Sequence, residues 1–186
     1  MKQHPYVSSQ DSLLLREVIR GRSGDSCLEI GTGNAGGLIE LSERYEIAAG
    51  TDLVAPASFD WRGGRGSFLL ADAASCFRDE CFDLVVFNPP YLPSETIEDL
   101  AVDGGVGGIE VPLHFLREAM RVVRKRGRIL MLLSSENPLE QIRRECSAKG
   151  FEVQKVAEKR LFYEELYVFE AASKQPPWKR HHWTGS

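Results

Sequence analysis

Two segments of this chain combine residue types and spacings suited to chemistry. The first is Gly31-Thr32-Gly33-Asn34-Ala35-Gly36, a G-x-G-x-x-G run between an apolar stretch and an amphipathic one, with Asp52 21 positions beyond Gly31. Glycines at such a turn let the backbone approach a ligand closely. A carboxylate closing the second strand can accept both hydroxyls of a ribose, so the pattern is that of a nucleotide-type site. Alone it also fits a nicotinamide cofactor or a plain tight turn. The second segment is Asn88-Pro89-Pro90-Tyr91, which closes the apolar run 82–88. Consecutive prolines cannot continue a strand ladder, and they fix a rigid loop at the carboxyl end of a buried strand, where α/β sheets bind substrates. No histidine or lysine stands out as a proton-transfer catalyst.

The elements that must hold these loops follow from patterning. Short apolar runs alternate with amphipathic stretches, which predicts an α/β sheet buried on both faces. Strands are predicted at 26–31, 47–51, 67–71, 82–88, 128–133, 151–159 and 165–171, the last two paired as an antiparallel hairpin. Helices are predicted near 10–20, from the glycine turn to Tyr45, over 111–125 with Arg124-Lys125-Arg126 in its last turn, and from an Asn137 cap to Lys149.

Composition narrows the classes. A chain of 186 residues, 42% hydrophobic and 27% charged, suits one soluble domain. Its net charge of −4 argues against holding nucleic acid by bulk electrostatics. No apolar run is long enough to span a bilayer, and the first ten residues lack a signal-peptide core. Cys27, Cys76, Cys81 and Cys146 form no C-x-x-C pair, so no metal site is expected, Cys27 reads as a buried free thiol, and the compartment reads as cytoplasmic. The domain is expected over 1–173, followed by a loose basic and aromatic tail, 174–186, that carries Trp178, Lys179, Arg180 and Trp183.

Glu29 shifts the balance between cofactors. Two residues before the first glycine, a carboxylate repels the pyrophosphate of a dinucleotide. S-adenosylmethionine (SAM) has no phosphate and carries a sulfonium and an ammonium that an acidic loop attracts. Leu28-Glu29-Ile30-Gly31-Thr32-Gly33 resembles the first motif of class I SAM-dependent methyltransferases, whose sheet is Rossmann-like, seven-stranded and mostly parallel with an antiparallel C-terminal hairpin. That resemblance implies cofactor contacts from Ser12, Glu29, Gly31, Thr32, Gly33, Asp52, Leu53, Asp72, Ala73 and Asn88, with Asp72 reaching the adenine amino group.

Asn88-Pro89-Pro90-Tyr91 resembles the [N/D]-P-P-[Y/F] signature of methyltransferases that act on planar NH2 groups. The chemistry suits such a group. Its nitrogen lone pair is delocalised, so two fixed acceptors, the Asn88 side-chain carbonyl and the Pro89 backbone carbonyl, can bind both N–H groups and aim the nitrogen, while Tyr91 stacks on the plane. The proton becomes acidic only after the methyl arrives, so no dedicated base is required.

Between an amide and a nucleobase, two further segments point to the amide. Tyr6 to Leu15 is similar to the Y-x-P-x-E-D-[ST]-x-L-L lead-in of the short, archaeal/eukaryotic-type HemK-like glutamine N5-methyltransferases, and Asp103 to Glu110 to their G-G-x-x-G-x-E loop. The resemblance runs from about Tyr6 to Ala171 and implies methylation of the Gly-Gly-Gln glutamine of a peptide release factor. It implies that Asn88, Pro89, Pro90 and Tyr91 are catalytic, and that Asn88, Pro89, Tyr91, Gly104, Gly105 and Glu110 meet the substrate. The chain departs from the pattern at Ser8, at Gln10 and in the short glycine-containing stretch 54–66. With 28 residues before Glu29, the helical recognition domain of bacterial HemK proteins is expected to be missing. The short relatives use a small zinc-binding activator subunit at the strand 67–71 edge, which Phe68 and Leu70 could expose. Amino-group methylation of rRNA or tRNA, and a non-catalytic SAM-fold binding subunit, are the alternatives.

Overall fold

A computed structural model describes residues 10–56, 66–95, 99 and 102–174. The expected tail from residue 175 and the lead-in before Gln10 lie outside the described residues, as does 57–65, most of the shortened stretch after Asp52. The elements run α1 (Gln10–Arg20), β1 (Gly24–Ile30), α2 (Gly36–Ser42), β2 (Tyr45–Asp52), β3 (Gly66–Leu70), β4 (Phe82–Phe87), a short 3-10 turn (Val106–Gly108), α3 (Glu110–Val122), β5 (Val123–Ser134), α4 (Leu139–Ala148), β6 (Phe151–Arg160) and β7 (Glu165–Ser173).

The strands form one sheet in the order β3-β2-β1-β4-β5-β7-β6. All pairs from β3 to β5 are parallel, and β7 lies antiparallel between β5 and β6. This is the sheet expected from the sequence. Central strands are buried nearly without a break, because helices cover both faces. Leu14, Leu15 and Ile19 of α1 and Leu38 and Leu41 of α2 pack on one face. On the other face lie Leu113, Leu116 and Val122 of α3 with Ile142 and Cys146 of α4. The hairpin strand β6 at the margin alternates between half-buried and exposed instead. Cys27 is buried and free, as expected. Among the described residues no helix is long and apolar enough to cross a membrane.

Two local expectations are corrected. The helix expected over 111–125 ends at Val122, and Val123 is already extended, so Arg124, Lys125 and Arg126 begin β5 instead of closing a helix. Pairing outweighs the charge pattern here: Val123 registers with Phe82, and a bulge separates that pair from Leu84–Arg128. Gly127 sits at this irregularity because a Cβ there would lie 2.6 Å from Val123 Cγ2 and 2.9 Å from the Asp83 carbonyl oxygen. Asn137 does not cap α4; Pro138 precedes the helix and no side chain caps it. The Asn137 amide is engaged elsewhere.

Candidate active site

Both chemical loops emerge at the carboxyl ends of neighbouring parallel strands. The glycine turn leaves β1 with Gly31 at φ 72° and Gly33 at φ 53°, a backbone region that glycine enters without strain. The Thr51 carbonyl accepts from the N–H groups of Gly31 (2.8 Å) and Thr32 (3.1 Å), tying the turn to β2. Asp52 continues this role: its carboxylate accepts from Gly33 N–H (2.8 Å) and Val54 N–H (3.2 Å). Each carboxylate oxygen retains accepting capacity for a ribose hydroxyl. Nothing lies within 4 Å of where a Cβ at Gly33 would stand, so the turn is open to a ligand there.

Glu29 lies near the end of β1, one residue before Ile30. It is buried, it accepts from Leu38 N–H, and it fills the space that a side chain at Gly37 would need. Burial pushes its carboxyl up to about 8, with Asp52 adding to the rise and the Leu38 N–H and Arg16 opposing it. Without a cation beside it, Glu29 is therefore largely neutral at neutral pH. Its second oxygen, Oε2, has no hydrogen-bond partner, nor do the buried hydroxyls of Thr32 and Thr51. Unpartnered buried polar atoms are costly, and these three cluster on the residues that flank the turn.

Asp72 follows β3 and is exposed, and Ala73 behind it is buried in a left-handed conformation, φ 43°. His114 of α3, which the sequence reading passed over, sets its Nε2 2.8 Å from one Asp72 oxygen. Leu53 is exposed beside Asp52. Ser12 is half-buried on α1, and its N–H donates to Asp11 Oδ1 at 2.6 Å.

Asn88 is half-buried just beyond β4. Its Nδ2 donates to Asp11 Oδ2 at 3.0 Å, while its Oδ1 is buried and has no partner. Asp11, an acceptor only when ionised, therefore fixes which end of the amide faces away from α1: the carbonyl. Pro89 is buried, and Tyr91 packs half-buried against the cluster that includes α1 and α2.

The glycine loop at 103–110 closes on this segment. Leu92 N–H donates to the Val102 carbonyl (2.9 Å), Gly104 N–H to the Leu92 carbonyl (2.8 Å) and Ser94 N–H to the Gly105 carbonyl (3.1 Å). A Cβ at Gly104 would stand 2.8 Å from Tyr91 Cα, and one at Gly108 would overlap the Tyr91 carbonyl oxygen. These buried glycines thus make room for the chain's own Asn88–Tyr91 loop, where the sequence reading had them approach a substrate. Glu110 is exposed in the first turn of α3 and lies against Gly105. Asn137 completes the arrangement with hydrogen bonds to the carbonyls of Tyr91 and Gly108. A cavity of about 470 Å³ bounded by Arg128, Arg143, Phe151 and Gln154 lies at the opposite end of the sheet.

The residues present fit SAM: an open glycine turn, a second-strand carboxylate, unpartnered buried acceptors and an acidic side chain that a cation would ionise. The fold is that of class I SAM-dependent methyltransferases, and the site resembles theirs. Within that class the chain is similar to protein glutamine N5-methyltransferases. It is 29% identical, over 92% of its length and 94% of the relative's, to a chain of Methanocaldococcus jannaschii named a candidate protein N5-glutamine methyltransferase. It is 34% identical, over 47% of its length and 31% of the relative's, to the release factor glutamine methyltransferase of Caulobacter vibrioides. Among solved structures it matches the E. cuniculi Mtq2–Trm112 complex, which methylates the termination factor eRF1, with a TM-score of 0.75 at 23% identity, covering 90% of this chain and 98% of that one. It also matches a Streptococcus mutans candidate methyltransferase in complex with SAH, with a TM-score of 0.61 at 13% identity over 88% and 98% of the two chains. No protein-family profile matches the chain. The resemblance read from the motifs is borne out by these relatives.

Proposed function

We propose that this chain transfers a methyl group from SAM to the side-chain amide nitrogen of a glutamine, in the Gly-Gly-Gln loop of a peptide release factor. The observation that carries the reading is the Asn88 amide, whose orientation Asp11 sets and whose buried Oδ1 has no partner. An acceptor without a partner in the chain, at a strand terminus, suits a substrate N–H donor. The glutamine for which both relatives are named supports the amide over a nucleobase.

SAM, when bound, supplies an electrophilic methyl on a sulfonium sulfur. The chain supplies geometry. Asn88 Oδ1 accepts one amide N–H and the Pro89 carbonyl the other, which holds the nitrogen in line and keeps electron density on it. Pro89 and Pro90 lack N–H groups, so the loop offers acceptors and no competing donors along that edge. Fixed dipoles aimed at the reacting group need no reorganisation during attack, and orientation of this kind is worth several kcal/mol. After transfer the nitrogen carries an acidic proton that water can accept.

The same reading assigns the Ser12, Gly31–Gly33, Asp52–Leu53 and Asp72–Ala73 contacts to the cofactor, and Gly104, Gly105 and Glu110 to the border of the substrate pocket. It also includes a small zinc-binding activator subunit at the β3 edge, outermost among the described strands, in a cytoplasmic setting. Support comes from Leu70, exposed at the end of β3, from Leu53 and Val54, exposed just beyond the Asp52 that pairs with it, and from the paired subunit of the E. cuniculi structure. Co-expression with such a subunit should give a co-eluting pair that Leu70→Asp abolishes.

The test of function is labelled-methyl transfer from SAM to purified release factor, to the same factor with its Gly-Gly-Gln glutamine replaced, and to total RNA. Label confined to the unaltered factor is expected. Label in RNA alone would assign the chain to nucleobase methylation.

A further inference from the structure

Asn137 lies at the end of β5, outside every motif, yet its buried side chain makes three hydrogen bonds. Its Oδ1 accepts from Ser134 N–H at 2.8 Å. With that oxygen committed, the two Nδ2 hydrogens point to the Gly108 carbonyl at 3.0 Å and the Tyr91 carbonyl at 3.3 Å. The Asn137 N–H also donates to the Ser134 carbonyl (3.1 Å), so the residue is anchored through its backbone as well. One rigid amide thus grips both loops that border the acceptor site. Tyr91 is two residues beyond Pro89, and the prolines between Asn88 and Tyr91 have fixed φ. Asn137 thus fixes where Tyr91 sits, and with it one end of the short, proline-restricted segment that carries the Pro89 carbonyl. Gly108 packs so closely on Tyr91 that a Cβ there would overlap the Tyr91 carbonyl oxygen, and Asn137 adds a side-chain anchor to the backbone hydrogen bonds that join the two loops.

We propose that Asn137 is a positioning residue for methyl transfer: it clasps the Asn88–Tyr91 loop to the 103–110 glycine loop and thereby sets the pair of acceptors that aim the substrate nitrogen. This rests on the amide-methylation reading above. A displacement of about 1 Å at a reacting group costs on the order of a hundredfold in rate. The clasp touches neither the Gly31–Gly33 turn nor Asp52, so cofactor binding should be spared.

The test compares Asn137→Ala and Asn137→Asp with the unaltered chain, reading SAM affinity by calorimetry and kcat for methyl transfer to release factor. Asn137→Asp keeps an acceptor for Ser134 N–H and loses both donors, so it separates the clasp from a mere turn. The proposal expects kcat to fall about 10- to 100-fold in both variants, with the SAM Kd changed less than about threefold. Wild-type turnover in either variant would overturn it, as would SAM affinity falling as far as rate. Should both variants unfold, amide NMR on the unaltered chain decides. Slowly exchanging Asn137 side-chain protons coupled to the Tyr91 and Gly108 carbonyls support the clasp, and rapid exchange refutes it. An unaltered chain that methylates no release factor refutes the function instead, and the same NMR readout then judges the clasp.

Discussion

Replacing Asp11 with alanine isolates the step by which the fold orients its substrate acceptor. The Asp11–Asn88 hydrogen bond is 3.0 Å long, partly buried, and has a carboxylate as acceptor. Bonds to charged groups contribute about 1.5–3 kcal/mol, equivalent to about 10- to 150-fold in rate if the interaction is needed at the transition state. Without it the Asn88 amide can turn its NH2 toward the substrate, presenting a donor where an acceptor is needed. Asp11→Ala should therefore lower kcat by about 10- to 150-fold. Asp11→Asn retains a neutral acceptor and should lose only about fivefold, the equivalent of about 1 kcal/mol. Asp11 also accepts from Ser12 N–H in the first turn of α1, so Asp11→Ala should cost about 1 kcal/mol of stability as well. Thermal unfolding separates that effect from the rate. The assay is single-turnover methyl transfer at saturating SAM, with SAM affinity measured separately. A wild-type rate in Asp11→Ala, or a SAM affinity that falls as far as the rate, would refute the reasoning.

Three other perturbations probe the surrounding residues. Asp52→Ala removes the acceptor for Gly33 and Val54 N–H along with the proposed ribose contact, so SAM Kd should rise about 10- to 100-fold, with kcat at saturating SAM little changed. Glu29, raised to about 8, contributes stability that is full below its ordinary value near 4.5 and is lost as pH rises through about 8; Glu29→Gln should therefore flatten the decline in unfolding free energy across that window. A bound cation favours the ionised carboxyl, so SAM binding near pH 7 should release a proton, seen as a buffer-dependent binding enthalpy that Glu29→Gln abolishes. Gly108→Ala would place a Cβ in a left-handed conformation, φ 65°, against the Tyr91 carbonyl, costing about 1–2 kcal/mol from conformation alone and slowing transfer more than it weakens SAM binding.

Much of this arrangement was legible in the sequence, for physical reasons. Strands buried on both faces read as continuous apolar runs, so the sheet and its two chemical loops stand out, and Pro89-Pro90 marks where β4 must stop. Contacts between distant residues carry no such local signal. Asp11 and Asn88 are 77 positions apart, and Asp72 and His114 are 42 apart. Asn137 has the residue type and place of a helix cap, and only the folded chain shows its amide spent on two other loops. The basic run after Val122 fits a helix terminus by charge, yet pairing with β4 pulls it into β5. Glu29 was read as a negative charge; burial, which spacing does not reveal, makes it largely neutral until a cation arrives.

The central claim is that Asn88 aims a glutamine amide for methyl transfer. Tandem mass spectrometry of release factor after incubation with the chain and SAM tests it most directly. The account predicts a single methyl on the side-chain nitrogen of the Gly-Gly-Gln glutamine, formed by the unaltered chain and reduced at least a hundredfold with Asn88→Ala, the scale of removing one preorganised contact, while SAM still binds. A methyl on another residue, or undiminished modification by Asn88→Ala, would contradict it.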